Sequence, residues 1–511
     1  MNMRGSVGVI FGETNTREFR FVVSSPEVKK GDYVKVWHPQ DGWVLCQIIS
    51  VKKTSEISSP DDAIELAEGR TGGSEEITIA KATIIGIRDS DGLLRAPKTP
   101  FSPGDRVFLA NESLIQETLG LRGGDAYIGL LEGHDVKVYL DVNQLVQKHV
   151  SILARTGSGK SYTAGVLIEE LLEKNVPLLI IDPHGEYSSM KYPNSNPEEL
   201  EKMVKYGISP RGYAERIVVY TPANFAVNPN ADRLLRIDGR NLHPKDLIEM
   251  IPAKMSTPQE ELLYEVVTKL RNEVESYDIH DIILAVEKSK NKAKWGLIAH
   301  LEALRDSGIV SSEPVSIGEL LRRGAASVID MTGVSPEMQK IIVAYLCREI
   351  FEARKRNRVP PGMIVIEEAH NFCPERGYDR SPSTEIIRTI ASEGRKFGLG
   401  LMIVSQRPAR VDKNVLSQCN TQIILKVTNP NDIRAISKGL EGMSSELEDE
   451  IKRLPPGVAL LVSTYIERPI FVDVRIRRSL HGGASPSIIS GERRRGERDE
   501  SIIEKIFRRR K

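Results

Sequence analysis

Apolar positions over residues 1–110 come in short β-rich runs, at 7–10, 19–23, 33–37, 43–49, 77–80, 82–87 and 106–109. Turn sequences such as Lys30-Gly-Asp32 and Pro103-Gly-Asp-Arg106 separate them. Many short strands at this spacing predict a small N-terminal β-barrel over 1–110. Trp37 and Trp43 lie on two of these runs and read as barrel-core or hairpin packing. The polar stretch 54–75 reads as a long hairpin loop with a helical piece at 61–67. Residues 111–148 read as a connection containing a hairpin, 126–131 with 136–140.

From Val150 the pattern changes to short, continuous apolar runs at 150–154, 178–181, 217–220, 326–330, 363–366, 399–404, 422–426 and 458–462. Such runs suit strands buried on both faces of a parallel sheet. Helical stretches alternate with them, so 111–229 and 326–480 predict an α/β core with a mainly parallel sheet. Residues 230–325 are mainly helical in pattern, at 242–251, 258–275, 279–288, 297–307 and 317–323, and read as an inserted helical subdomain. The remainder, 481–511, reads as a linker followed by a basic C-terminal tail, with nine Lys/Arg against five Asp/Glu over 491–511.

Composition narrows the function classes. Lys and Arg total 71 against 70 Asp and Glu, a net charge of +1, so no global field draws in nucleic acid and any such site must be local. The four cysteines, Cys46, Cys347, Cys373 and Cys419, are widely spaced and form no C-x-x-C pair, which points away from zinc and disulfide frameworks. There is no apolar run near the ~18 residues of a membrane span and no apolar leader after Met1, so a soluble, cytoplasmic chain is expected.

The chemistry gathers at Ala154-Arg-Thr-Gly-Ser-Gly-Lys-Ser161, between an apolar run and a helical stretch at 162–174 with Val166, Leu167, Leu171 and Leu172 on one face. This is a strand, a phosphate loop and a helix. Backbone around Gly157, Ser158 and Gly159 can close on an anion, and the helix N-terminus adds partial positive charge. Arg155 to Tyr162 (Arg155, Thr156, Gly157, Ser158, Gly159, Lys160, Ser161, Tyr162) are therefore expected to hold ATP. Lys160 would reach its β- and γ-phosphates, and the Ser161 hydroxyl would sit on Mg²⁺. The full pattern has glycine where this chain has Ala154, which is harmless if φ there is negative.

A phosphate-loop ATPase also needs a carboxylate on a neighbouring strand for Mg²⁺ and a base for water. Asp182, Asp330 and Glu367-Glu368 all end apolar runs. Asp330 opens Asp330-Met-Thr-Gly333, like the D-x-x-G of GTPases, but no N-K-x-D follows, since Asn291-Lys-Ala-Lys294 fails at its last position. In Met363-Ile-Val-Ile-Glu-Glu-Ala-His370 the apolar run carries two carboxylates to the strand's C-terminal edge, where ligands bind in open α/β sheets. Glu367 is read as the Mg²⁺ carboxylate and Glu368 as the group that polarises the attacking water. Asp182 is a turn-starter or a supporting acid. Gln406, in Ser405-Gln-Arg-Pro408 at another strand end, is placed to sense the γ-phosphate.

Taken in order, Ala154–Ser161, Ile181-Asp-Pro-His-Gly-Glu-Tyr187, Val365-Ile-Glu-Glu-Ala-His-Asn371, Ser392-Glu-Gly-Arg-Lys-Phe-Gly-Leu-Gly400 and Ser405-Gln-Arg-Pro408 resemble the HerA family of hexameric DNA translocases, within the HerA–FtsK group. The resemblance spans nearly the whole chain. It departs at Ala154 and at Glu367, where related motors often carry aspartate. It implies a RecA-like P-loop ATPase core, a HAS-barrel-like N-terminus, a homo-hexamer with ATP between subunits, and double-stranded DNA driven through the pore as a translocase or helicase. It also implies work in DNA end resection and double-strand break repair with a NurA-type nuclease and the Mre11–Rad50 complex. A ring calls for an arginine acting in trans, for which Arg395 is the first choice and Arg407 and Arg380 the alternatives. Arg376 and Arg380, in the polar segment after the Glu367-Glu368 strand, are the candidates to touch DNA phosphates. Two other readings compete: a DNA-export motor similar to conjugation ATPases, and a nucleotide-switched scaffold that recruits a nuclease.

Overall fold

The computed structural model describes residues 5–54, 76–121, 123–240, 243–251, 254–311, 313–440 and 445–482. The helical piece expected at 61–67 and all but the first two residues of the tail lie outside them. The N-terminal strands are β1 (Ser6–Phe11), β2 (Glu18–Val23), β3 (Tyr33–His38), β4 (Gly42–Thr54), β5 (Ile77–Arg88), β6 (Leu94–Arg95) and β7 (Arg106–Leu109). They form one antiparallel sheet, ordered β2-β1-β7-β3-β4-β5-β6, and a further β2–β5 pairing closes it into a barrel. Alternation fills the interior: Phe19 and Phe21 point in while Arg20 and Val22 point out. Val34, Val36, Val44, Ile48 and Val107 complete the core. Trp37 and Trp43 are cross-strand partners with ring centroids 5.4 Å apart, and Trp37 is 54% exposed, so the pair packs on the outside of its hairpin and not in the core.

The second unit is built on twelve strands: β8 (Ala126–Leu131), β9 (Lys137–Leu140), β10 (Val150–Leu153), β11 (Leu178–Asp182), β12 (Ile217–Thr221), β13 (Arg233–Leu234), β16 (Ala326–Asp330), β17 (Gly362–Ile366), β18 (Leu399–Ser405), β19 (Thr421–Ile424), β20 (Val458–Ser463) and β21 (Ile470–Val474), with β14 (Ile237–Asp238) and β15 (Val310–Ser311) as a separate ladder. The sheet order is β13-β12-β16-β11-β17-β18-β10-β19-β20-β21-β8-β9. From β13 to β19 the pairs are parallel; from β19 to β9 they are antiparallel. The β8–β9 hairpin, expected within a connection, extends this sheet through β21. The reason is in its side chains: every residue of β8 is buried, and a strand apolar on both faces needs covering on both.

Three helices matter for the site: α1 (Lys160–Glu173), α2 (Pro336–Lys355) and α3 (Thr384–Phe397). A single apolar face is expected on α1, yet Thr163 to Leu172 are all buried, Glu169 and Glu170 included. The outer face is covered by the chain that leaves β21, whose Arg475 meets both glutamates. The inserted helices (Pro244–Met250, Thr257–Glu273, Ile279–Glu287, Lys294–Asp306 and Ile317–Leu320) pack Leu263, Val267, Ile282, Leu297 and Leu301 into a core continuous with the sheet. Among the described residues no helix is long and apolar enough to cross a membrane.

Candidate nucleotide site

The site sits at the C-terminal edge of the parallel strands. β10 delivers the loop 154–159, whose backbone is pinned on both sides: Ala154 N–H donates to Ser405 O (3.2 Å), and Arg155 N–H donates to Lys426 O (2.9 Å). Gly157 and Gly159 take φ of +76° and +91°, the left-handed region that glycine enters without a Cβ penalty. Among the described residues, the non-glycines with positive φ are His149, Asn175, Asn357 and Glu368, so Ala154 stands in for glycine without strain. Gly159 precedes α1 and supplies no side-chain cap. The first-turn N–H groups therefore have no side-chain cap to occupy them.

Four carboxylates converge opposite. Asp182 and Asp330 are register partners at the ends of β11 and β16, and Glu367 and Glu368 follow β17. Lys160 Nζ lies 3.2 Å from Glu367 Oε2 and bonds Glu368 Oε1. The Tyr187 hydroxyl donates to Glu367 Oε1. Asp182 accepts from the N–H groups of His184 (3.3 Å), Gly185 (2.9 Å) and Tyr187 (3.0 Å), so it organises the turn while belonging to the acidic cluster.

Burial sets the electrostatics. It pushes Asp182 up to about 7, helped by the charges of Asp330 and Glu367 and opposed by the backbone N–H groups. It raises Glu367 too, against the pull of Lys160 and the Tyr187 hydrogen bond. Burial alone would lower Lys160, but the two glutamates outweigh it and hold its pKa above the usual lysine value. The lysine therefore stays charged and shared between two acids.

Glu368 stands apart. It adopts φ 49°, ψ 43°, a left-handed conformation rare for a glutamate. Its Oε2 is buried without an aligned hydrogen-bond donor; His370 Nδ1 is 3.2 Å away, off axis. Strained non-glycine backbone with an unfilled polar atom marks sites kept for a ligand.

The other expected residues fall in three places. Gln406 Oε1 accepts from the Thr156 hydroxyl, so the β18 end touches the phosphate loop directly. Ser161 is half-buried beside Lys160. The Tyr162 hydroxyl turns to Glu199 (3.0 Å) and accepts from Arg477 N–H (2.9 Å), engaging the α1 outer face. Arg395 is exposed near the end of α3, just before β18 begins. The seven residues of β18, at ~3.3 Å each, put it roughly 20 Å from its own phosphate loop. Arg376, Arg380 and Arg407 are exposed. Arg376 and Arg380 lie on a segment tied to the β18 end by Glu375 N–H to Arg410 O (2.8 Å). The roles of Tyr187 and His370 were not read from the sequence, although both lie within quoted motifs. Arg475 and Arg477 were missed altogether; their signal is the Arg-Ile-Arg alternation that continues the β21 pattern.

Mg²⁺ takes hard oxygen donors, few from protein and the rest from phosphate and water. The donor set fits that demand: a hydroxyl at Ser161 and a carboxylate at Glu367, at the end of the neighbouring strand β17.

Comparison with known proteins bears on the chain as a whole. Residues 126–350 match the model of the central domain of helicase HerA, and residues 7–90 match the HAS barrel domain. A DNA double-strand break repair helicase HerA from Pyrococcus furiosus is 27% identical, with 96% of each chain covered. The protein of that name from Saccharolobus solfataricus is also 27% identical, with 97% of each covered. Among solved structures, VirB4 of Thermoanaerobacter pseudethanolicus aligns with a TM-score of 0.48 at 16% identity, over 69% of this chain and 96% of that one. The chain belongs to the HerA family.

Proposed function

We propose that this HerA-family chain is an ATP-driven motor that translocates on and unwinds double-stranded DNA in double-strand break repair. The observation that carries the reading is the pairing of Lys160 with both Glu367 and Glu368 at the mouth of a phosphate loop. In this state the lysine charge is spent on two acids. ATP phosphates offer it a stronger partner, and its transfer frees Glu368 Oε1 to accept a proton from water. Gln406, bonded to Thr156, would feel the γ-phosphate from the other side of the loop. Ser161 and Glu367 would hold Mg²⁺, which neutralises charge on the phosphates.

Arg395 is exposed just before the start of β18, whereas its own loop faces the other end of that strand, so any nucleotide it serves would be a neighbour's. That supports a closed ring, with six subunits by family, and Arg395 completing the adjacent site. Arg376 and Arg380 would touch DNA phosphates from a segment linked to the β18 end, which lets nucleotide state move them. A NurA-type nuclease and Mre11–Rad50 are the partners such a motor would serve in end resection.

The test is steady-state ATP hydrolysis with and without linear duplex DNA. Wild-type protein should be stimulated strongly by duplex; Glu368→Gln should bind ATP and barely turn over, a loss of ~10²–10⁴-fold. Turnover indifferent to DNA would favour a nucleotide-switched scaffold. Mixed rings of Arg395→Ala and Lys160→Ala subunits should recover activity that neither ring has alone; intact rings without recovery would remove Arg395 from the in-trans role.

A further inference from the structure

We infer that His370 is a positioning residue for ATP hydrolysis, bridging the Glu368 carboxylate to Ser405 and so tying it to the strand end that carries Gln406. The inference rests on the assignment of Glu368 as the water-polarising group.

The geometry is compact. His370 Nδ1 lies 3.2 Å from Glu368 Oε2 and 3.2 Å from Ser405 Oγ. Ser405 is fully buried, and its hydroxyl also accepts from Arg407 N–H (3.0 Å). Ser405 is the register partner of Leu153, the last strand residue before the phosphate loop. One ring thus links the two loops that face the γ-phosphate position.

Glu368 needs such a holder. Its side-chain contacts among the described residues are Lys160 on Oε1 and His370 beside Oε2. Once phosphates take Lys160, His370 is what remains. Burial also keeps the ring below its usual pKa despite the glutamate beside it, so a neutral imidazole makes the contact. A bare Nδ1 lone pair 3.2 Å from a carboxylate oxygen would be repelled, so the proton belongs on Nδ1. That N–H, directed at Ser405 and passing Oε2 off axis, fixes the ring and biases the carboxylate without neutralising it. A base displaced by about 1 Å can lose ~10²-fold in rate, which is the scale expected here.

The experiment measures duplex-stimulated ATP turnover by full-length rings carrying His370→Ala, His370→Asn, Ser405→Ala and the Ala double substitution. We expect kcat to fall ~10–100-fold in His370→Ala while KM stays within about twofold, since binding is untouched. His370→Asn keeps an N–H near the Nδ1 position and should recover most of the loss. The double variant should be little worse than either single one, because both break one link. Wild-type kcat in His370→Ala, additive losses in the double variant, or no recovery by Asn with rings intact would each overturn the inference. Glu368→Gln separates the two levels. If it keeps turning over, the base assignment is wrong; if it is inactive while His370→Ala is normal, only the bridge is wrong.

Discussion

Helix α1 carries two buried ion clusters, and they are built differently. At its N-terminal end Lys160 is shared between Glu367 and Glu368. On its outer face Glu169 and Glu170 meet Arg475. Arg475 is saturated: its Nε donates to Tyr127 O (2.9 Å), its Nη1 to Glu169 Oε2 (2.9 Å) and Ile476 O (2.8 Å), and its Nη2 to Glu170 Oε1 (2.8 Å) and Val166 O (3.4 Å). Glu169 is filled as well, by Ser479 N–H and hydroxyl on Oε1 and by Arg478 N–H beside Arg475 on Oε2. The N-terminal cluster leaves Glu368 Oε2 without an aligned donor and holds its residue in a left-handed backbone. Arg475 and Glu169 are thereby fixed in one arrangement, although Arg477 Nε and Arg478 Nε beside them are buried without an aligned acceptor. The incomplete cluster at the phosphate loop has room for a ligand to rearrange it, and here the rearrangement is the chemistry.

Breaking each cluster by the same kind of truncation should expose the difference. Lys160→Ala removes the group that phosphates would claim, so ATP turnover should fall to background while the protein still folds cooperatively. Arg475→Ala strands two buried glutamates and should cost about 3–5 kcal/mol of stability. Its turnover per folded molecule should drop far less than in Lys160→Ala. Thermal melts followed by circular dichroism, beside ATPase rates normalised to folded protein, check both. If the two variants lose stability and turnover in the same proportion, the clusters are not functionally distinct.

What the residue pattern reveals follows the same division. Strands such as β17 are legible because a parallel strand covered on both faces must be apolar throughout, and Glu367-Glu368 then stand out at its end. The phosphate loop is legible because small residues and a lysine are needed at fixed spacing. The outer cluster is not. Arg475, Arg477 and Glu169 look like solvated surface, and their burial depends on a strand from the C-terminal part of the chain crossing a helix some 300 residues earlier, as Arg475 to Glu169 spans 306 positions. The place of β8 is hidden for the same reason, since its partner β21 lies far along the chain. Likewise the His370–Ser405 link joins two strand ends whose adjacency only the sheet order creates.

The smallest effect is the most specific to the incomplete cluster. Asp182 is buried among Asp330 and Glu367, with no lysine or arginine bonded to it among the described residues, and is pushed up to about 7. Its folded pKa therefore lies above its unfolded one, so between those values the native state holds a proton that the unfolded chain has lost. The stability this contributes is full below the ordinary aspartate pKa and disappears as pH rises through about 7. Asp182→Asn removes the titration but not the side-chain shape. Its amide faces the Tyr187 N–H that Oδ2 now accepts from, which costs a fixed amount at every pH. The offset between wild type and variant is thus uninformative, and the slope carries the test. In nucleotide-free melts the difference should drift in the variant's favour from about pH 5 to about pH 7 and level off by about pH 8. Parallel curves would mean that Asp182 ionises as an ordinary aspartate, compensated by its three backbone donors, and that the acid cluster is as well satisfied there as Arg475 is in the other.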